Sequence, residues 1–275
     1  PMGGSLIDRG AIVPNMTLFR DPKYQHWDMM TAMNMGLTAE KLFARTDYTK
    51  EDMDKWGLRS HQLAAKAEKA GFFEGEIFPI EAEQADGSTM LVDKDQAVRG
   101  DSTLEGIAAL RPAFKKDGVI TAGISSPLNA GATSMVLMSR ETAKKKGIKP
   151  LATIRSIGFA GVDPTIMGYG PVPASQKALD KAGLKASDID YWEINEAFCI
   201  VALNCIKELG LDPDRVNVMG GGTAIGHPLG ATGIRLTGTL ARILAEKGGR
   251  YGCSNACVGG GQGVATIIER ETYGW

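Results

Sequence analysis

The chain has 275 residues, a formal net charge of −1, 43% hydrophobic and 23% charged residues. That is enough to bury a sizeable core, and the near-zero charge excludes the broad basic field expected of a nucleic-acid or anionic-membrane binder. No apolar run approaches the ~20 residues of a membrane span, and no basic region followed by an apolar stretch marks a secretory leader.

In chain order, residues 1–25 read as irregular, punctuated by Pro1, Gly3, Gly4, Pro14 and Pro22. The pattern of Met29, Met33, Leu37 and Phe43 predicts a helix over 28–45. A second helix begins at Thr49, where Asp52 completes a capping pattern, and ends at Gly71. Short strands are expected over 76–82 and 89–92, and a helix over 103–110 that stops before Pro112. GVITAG (118–123) and ATSMVLMS (132–139) read as buried strands. Helices follow over 141–147, 172–183, 196–209 and 229–247, alternating with strands over 151–159, 191–194 and 216–219. The last two strands, 251–257 and 263–269, are joined by VGGGQ, a connection short enough to make them antiparallel. Strands alternating with helices mean an α/β layered core over 118–275, behind a helix-rich front part over 1–117. No internal repeat or low-complexity segment interrupts it.

The four cysteines, Cys199, Cys205, Cys253 and Cys257, lie in the last third without a paired disulfide framework. They point to a reducing, cytoplasmic compartment. The chain opens Pro1-Met2, which reads as the start of a fragment.

Three stretches carry candidate chemistry. Asn195-Glu196-Ala197-Phe198 follows a predicted strand and opens a helix. Asn195 is then either a catalytic polar group at a strand end or simply the N-cap of that helix. His227 stands between Gly226 and Pro228, in a loop that glycine opens and proline stiffens. A fixed neutral imidazole there suits proton abstraction from a thiol or donation to an oxyanion; a loop histidine bonded to backbone is the alternative. Cys257 ends a strand before Gly259-Gly260-Gly261. It is a general acid or base if its pKa is tuned, or a small buried hydrophobe. Cys253 shares its strand face and, with Cys199 and Cys205, reads as packing. Cys253-x3-Cys257 with one distant histidine is a poor zinc set, so no metal is expected. His26 and His61 read as surface or packing residues. Ser126, in the SSPLN turn, and Arg99, in a loop before a helix, are candidate ligand contacts or ordinary turn residues.

Taken together these stretches resemble the thiolase family. NEAF, GGGTAIGHPLGATGIR and CVGGGQG carry the likeness, supported by TAGISSPLNAGA, IMGYGPVPA and RSHQLAAKAEKAG. MGYGPVPAS and CIKELG are most similar to the 3-ketoacyl-CoA thiolases of β-oxidation. The resemblance implies an α/β fold with a layered αβαβα core and a mostly helical loop domain. Residues 1–117 would form the loop domain that covers coenzyme A, 118–150 the last piece of the N-terminal half, and 151–275 the C-terminal half. It implies that Asn195, through a water, and His227 build an oxyanion site, and that His227 also activates a nucleophilic cysteine. Cys257 would move the proton at the acetyl α-carbon. Ser126 would lie near the pantetheine arm and Arg99 near the adenosine end, with Gly259 also at the coenzyme.

Coenzyme A enters as a substrate, with no permanently bound cofactor. A homodimer or tetramer and a β-oxidation multienzyme partner fit the same resemblance. Two departures stand out. The family's nucleophilic cysteine precedes the loop domain, whereas no cysteine here precedes Cys199; the nucleophile would come from an N-terminal segment that this chain lacks, leaving the chain inactive alone. Asn34 stands where some thiolases carry a histidine, against a narrow acetoacetyl-CoA specificity. A non-catalytic thiolase-like subunit that binds acyl-CoA or a partner protein is the rival reading, and a ketoacyl-synthase-type condensing enzyme is a third.

Overall fold

The computed structural model describes residues 21–24, 26 and 28–272; most of the irregular reading of 1–25 lies outside them. The first predicted helix is two helices, α1 (Met29–Met33) and α2 (Met35–Phe43). Asn34 breaks it: its backbone is extended and its side chain accepts from Leu37 N, so it caps the second helix instead of continuing the first. Helix α3 (Lys50–Lys69) follows the sequence reading closely. Thr49 and Asp52 form the capping box, and Gly71 ends the run in the left-handed region at φ 75°. Met53, Trp56, Ser60, Ala64 and Ala67 form its buried stripe.

Strands β1 (Ile80–Glu83) and β2 (Thr89–Val92) pair as a small antiparallel hairpin. Helices α4 (Leu104–Ala108) and α5 (Arg140–Lys146) are short, capped by Thr103 and Ser139. Two predicted strands are absent between them. Residues 118–121 make one isolated bridge, Thr121 to Pro112, and Ala122–Ile124 is a 3-10 turn. Residues 132–139 join no ladder and are exposed, Val136 at 82% and Leu137 at 68%. This apolar segment runs beside the long helix near the C-terminus, where Thr133 Oγ1 donates to Ala231 O at 2.9 Å. Its pattern states a need for burial that no neighbouring strand among the described residues meets.

The core is a four-stranded sheet. It consists of β3 (Ala152–Gly161), β4 (Tyr191–Ile194), β5 (Tyr251–Val258) and β6 (Gln262–Arg270) in the order β3-β6-β5-β4. β4 and β5 are parallel, and the other pairs are antiparallel, including the predicted β5–β6 hairpin. The predicted strand at 216–219 is reduced to isolated bridges, one of them Val216 to Trp192.

Helix α6 (Pro171–Ala182) covers one face of the sheet. Gly158 permits the approach, since a Cβ there would fall 2.2 Å from Ala174 O. Helix α7 (Cys199–Leu209) is largely buried and packs between α6, α3 and the sheet. After the one-turn α8 (Gly222–Ile225), helix α9 (Thr232–Lys247) covers the other face with Leu236, Leu240 and Leu244. Each such fully buried leucine contributes about 1.5–3 kcal/mol. The layers are therefore helix, sheet, helix, with the α3 unit packed across α7 and α8.

Candidate active site

The register of β4 and β5 fixes the first relationship. Ile194 lies opposite Asn255 in the parallel pair, and Asn195 N–H donates to Asn255 O at 2.9 Å. Asn195 and Cys257 therefore emerge at the same carboxyl end of neighbouring strands, where α/β sheets hold their ligands. Asn195 is fully buried and does not cap the helix that follows. That helix starts only at Cys199, and its N-cap is Phe198 with no side-chain bond. Of the two sequence alternatives for Asn195, the capping one is excluded.

His227 meets Asn195 directly. Asn195 Nδ2 is 3.3 Å from His227 Nε2, while Asn195 Oδ1 is buried with no hydrogen-bond partner among the described residues. The other ring nitrogen, Nδ1, is 2.6 Å from Thr232 Oγ1. The loop is held from outside by Asn129, whose Oδ1 accepts the His227 backbone N–H at 3.0 Å. Gly226 makes room for that carboxamide at φ 100°. Sequence reasoning singled out neither Thr232 nor Asn129; five- and 98-residue separations leave no local pattern to read.

The electrostatics favour neutral partners. Burial, and then the nearby Arg235 guanidinium, push the His227 pKa down to about 4. Arg235 in turn donates from Nη1 to the buried Glu193 at 3.0 Å. Burial pushes the Cys257 thiol up to about 12. Near neutrality the His227 imidazole is therefore uncharged, and Cys257, at the end of the neighbouring strand and part of the apolar core, keeps its thiol proton.

Beneath these groups lies a carboxylate the sequence did not flag. Glu196 is fully buried. Its Oε1 accepts from Trp56 Nε1 at 2.9 Å and from Asn217 Nδ2 at 2.7 Å. Its Oε2 accepts from Ser60 Oγ at 2.7 Å and from Thr223 N at 3.1 Å. Four donors from three separate segments satisfy one anion. Asn217, the only non-glycine residue with positive φ among the described residues (48°), also clamps β4: its Oδ1 accepts from Ile194 N at 2.8 Å and its Nδ2 donates to Ile194 O at 2.9 Å. A lone glutamate after Asn195 carries no such information in sequence, because its donors lie 21 to 140 residues away.

Ser126 is half-buried and its N–H donates to Ala197 O at 3.0 Å, two residues beyond Asn195. Arg99 is exposed, and its backbone N–H donates to His61 Nδ1 at 3.2 Å. The neighbouring Val98 packs with Ala64, Ala224 and Ile225, which sets Arg99 above the glycine turn that leads to His227. His61 is thus a buried anchor for that loop. Gly259 is half-buried in the β5–β6 turn, where Gly260 and Gly261 take φ of 87° and 78°. Cys199, Cys205 and Cys253 are fully buried, and all four thiols are free. Among the described residues no group of three or more His, Cys, Asp or Glu is arranged to hold a metal ion, and no helix is long and apolar enough to cross a membrane.

A family model described as the thiolase N-terminal domain matches residues 15–141, and one described as the thiolase C-terminal domain matches residues 148–270. The chain is 48% identical over 254 residues to a 3-ketoacyl-CoA thiolase of Marinobacter nauticus, covering 91% of this chain and 65% of that protein. It is 47% identical over 271 residues to a 3-ketoacyl-CoA thiolase of Hahella chejuensis, covering 97% of this chain and 69% of that protein. Among solved structures, the acetyl-CoA acetyltransferase of Bacillus anthracis superposes with a TM-score of 0.83 at 47% identity, over 86% of this chain and 60% of that one. Human mitochondrial 3-ketoacyl-CoA thiolase in complex with CoA gives 0.79 at 39% identity, over 89% and 61%. The chain thus spans 65% of the length of the first of these relatives and 60% of the first of these structures.

Proposed function

This chain belongs to the thiolase family, and from that premise we propose that it contributes the oxyanion and proton-transfer half of a CoA-dependent 3-ketoacyl-CoA thiolase. The observation that carries the reading is the Asn195–His227 contact at the carboxyl end of β4, beside the strand that ends in Cys257. A thiolate attacks the 3-keto carbonyl, the bond between C2 and C3 breaks, and the electron pair passes to C2 of the departing acetyl unit. Asn195 and His227 hold the thioester oxygen on which that charge rests. Cys257 gives its proton to C2, releasing acetyl-CoA. The shortened acyl group stays on the nucleophilic sulfur until the thiol of coenzyme A removes it. The same groups serve the reverse Claisen condensation.

The nucleophilic sulfur, in this reading, belongs to a segment outside these 275 residues, since Cys199, Cys205 and Cys253 are fully buried and Cys257 is already engaged. The exposed apolar strip at 132–139, with Ile157 and Phe159 on the open edge strand β3, suits cover by such a segment. The division at 117 and 150 into loop domain, last piece of the N-terminal half, and C-terminal half belongs to the same reading. Ser126, Gly259 and Arg99 contact coenzyme A from the pantetheine arm to the adenosine end. A homodimer or tetramer, a role in β-oxidation with a multienzyme partner and a cytoplasmic location complete it.

In the complete enzyme, Cys257→Ala should abolish carbon–carbon cleavage while acyl transfer to the nucleophile persists. Cleavage at near wild-type rate would end the proton-transfer role. Turnover by the isolated chain would end the reading in which the nucleophile lies outside it.

A further inference from the structure

Thr232 begins α9 and is buried, with its hydroxyl placed between two acceptor positions. Oγ1 donates to Pro228 O at 2.9 Å and lies 2.6 Å from His227 Nδ1. A threonine hydroxyl has one proton and two lone pairs. With its proton on the carbonyl, it turns a lone pair to the ring, and Nδ1 must carry hydrogen. Pro228 O also accepts from the backbone N–H groups of Ala231 and Thr232, so a hydroxyl rotated toward the ring would leave no orphaned carbonyl. The Asn195 carboxamide, with Nδ2 turned to His227 Nε2 at 3.3 Å, favours one of the two rotors: a donor there is answered by a lone pair on Nε2. Both contacts, made by separate segments to opposite ring nitrogens, are satisfied together by the Nδ1–H tautomer.

We propose that Thr232 is a positioning residue that holds His227 as the Nδ1–H tautomer, leaving Nε2 as the site's proton acceptor. The tautomer rests on the Thr232 and Asn195 contacts; its consequence rests on the thiolase reading. There, the proton of the nucleophilic thiol passes to Nε2, sulfur keeps the electron pair, and the imidazolium then offers Nε2–H to the thioester oxygen. Thr232 accepts from Nδ1–H throughout and steadies the cation.

The test uses the 275-residue chain labelled with 15N in its imidazole rings. His26, His61 and His227 are separated by a His227→Gln spectrum. At neutral pH, His227 should show a pyrrole-type Nδ1 and a pyridine-type Nε2. Thr232→Val should shift it toward the Nε2–H form that free histidine favours, and Thr232→Ser should restore the original pattern. A pyridine-type Nδ1 in the wild-type chain would overturn the proposal, as would an unchanged pattern in the valine variant. If Thr232→Val does not fold, the wild-type spectrum decides. The expected tautomer in a complete enzyme without thiolase activity would remove the functional reading and leave the tautomer standing.

Discussion

The indole N–H of Trp56 donates to the buried carboxylate of Glu196 across 2.9 Å, joining helix α3 of the front part to the residue next to Asn195. Ser60, one turn further along α3, donates to the other carboxylate oxygen and accepts from Gly221 N at 3.0 Å. The front part therefore sets the position of two site loops through one anion. Removing that anion strands four buried donors, each costly when unpaired. We expect Glu196→Ala to lose about 3 kcal/mol or more of stability, read as a lower urea midpoint. Glu51→Ala, which removes an exposed pair with Lys55 on the same helix, should leave the midpoint almost unchanged. Similar midpoints for the two variants would refute the anchoring role.

Gly226→Ala addresses the histidine loop. At φ 100° an alanine is strained, and its Cβ would fall 2.1 Å from Asn129 Nδ2. Asn129 can swing away only by giving up the His227 N–H. A loss of about 2 kcal/mol is expected from the backbone conformation and the broken bond together. It should come with shifted His227 ring resonances. A variant within experimental error of wild type on both measures would contradict this account.

The depressed His227 pKa makes stability depend on pH in a definite direction. The native ring stays neutral down to about pH 4, whereas an unfolded histidine takes up its proton near ~6.5. The unfolded chain therefore binds more protons in that window. The contribution of His227 is full above ~6.5 and is lost as pH falls toward 4. His61 is shifted the same way by burial, so the comparison must be between wild type and His227→Gln. The wild-type urea midpoint should fall more steeply from pH 7 to 4 than that of the variant. Parallel curves would mean that His227 titrates normally.

The exposed strip predicts a colloidal property. Val136 and Leu137 present contiguous apolar surface and an unpaired backbone edge. The isolated chain should self-associate with rising concentration and bind a hydrophobic dye. Val136→Glu with Leu137→Lys should reduce both without lowering the urea midpoint. Equal self-association in the variant would shift attention to the Ile157 and Phe159 edge.

What the sequence determined by itself was local. Thr49, Asp52 and Gly71 announced α3 because caps act within a turn, and VGGGQ announced the β5–β6 hairpin because a short connection leaves no other pairing. The His227 loop and the strand end at Asn195 stood out in the sequence because glycine and proline mark an open, stiff turn and a polar residue after a strand marks its end; that the two side chains meet is a fact of the fold. Tertiary structure decided whatever depends on distant partners. It broke the first helix at Asn34, left 118–123 and 132–139 without strand neighbours, and freed Asn195 from capping. It also surrounded His227 with Thr232 and Asn129, and gave Glu196 its four donors. A hydrophobic pattern records that a segment seeks burial and a polar residue that it seeks a hydrogen bond. Which group answers is set by chain topology, and only the packed fold supplies that.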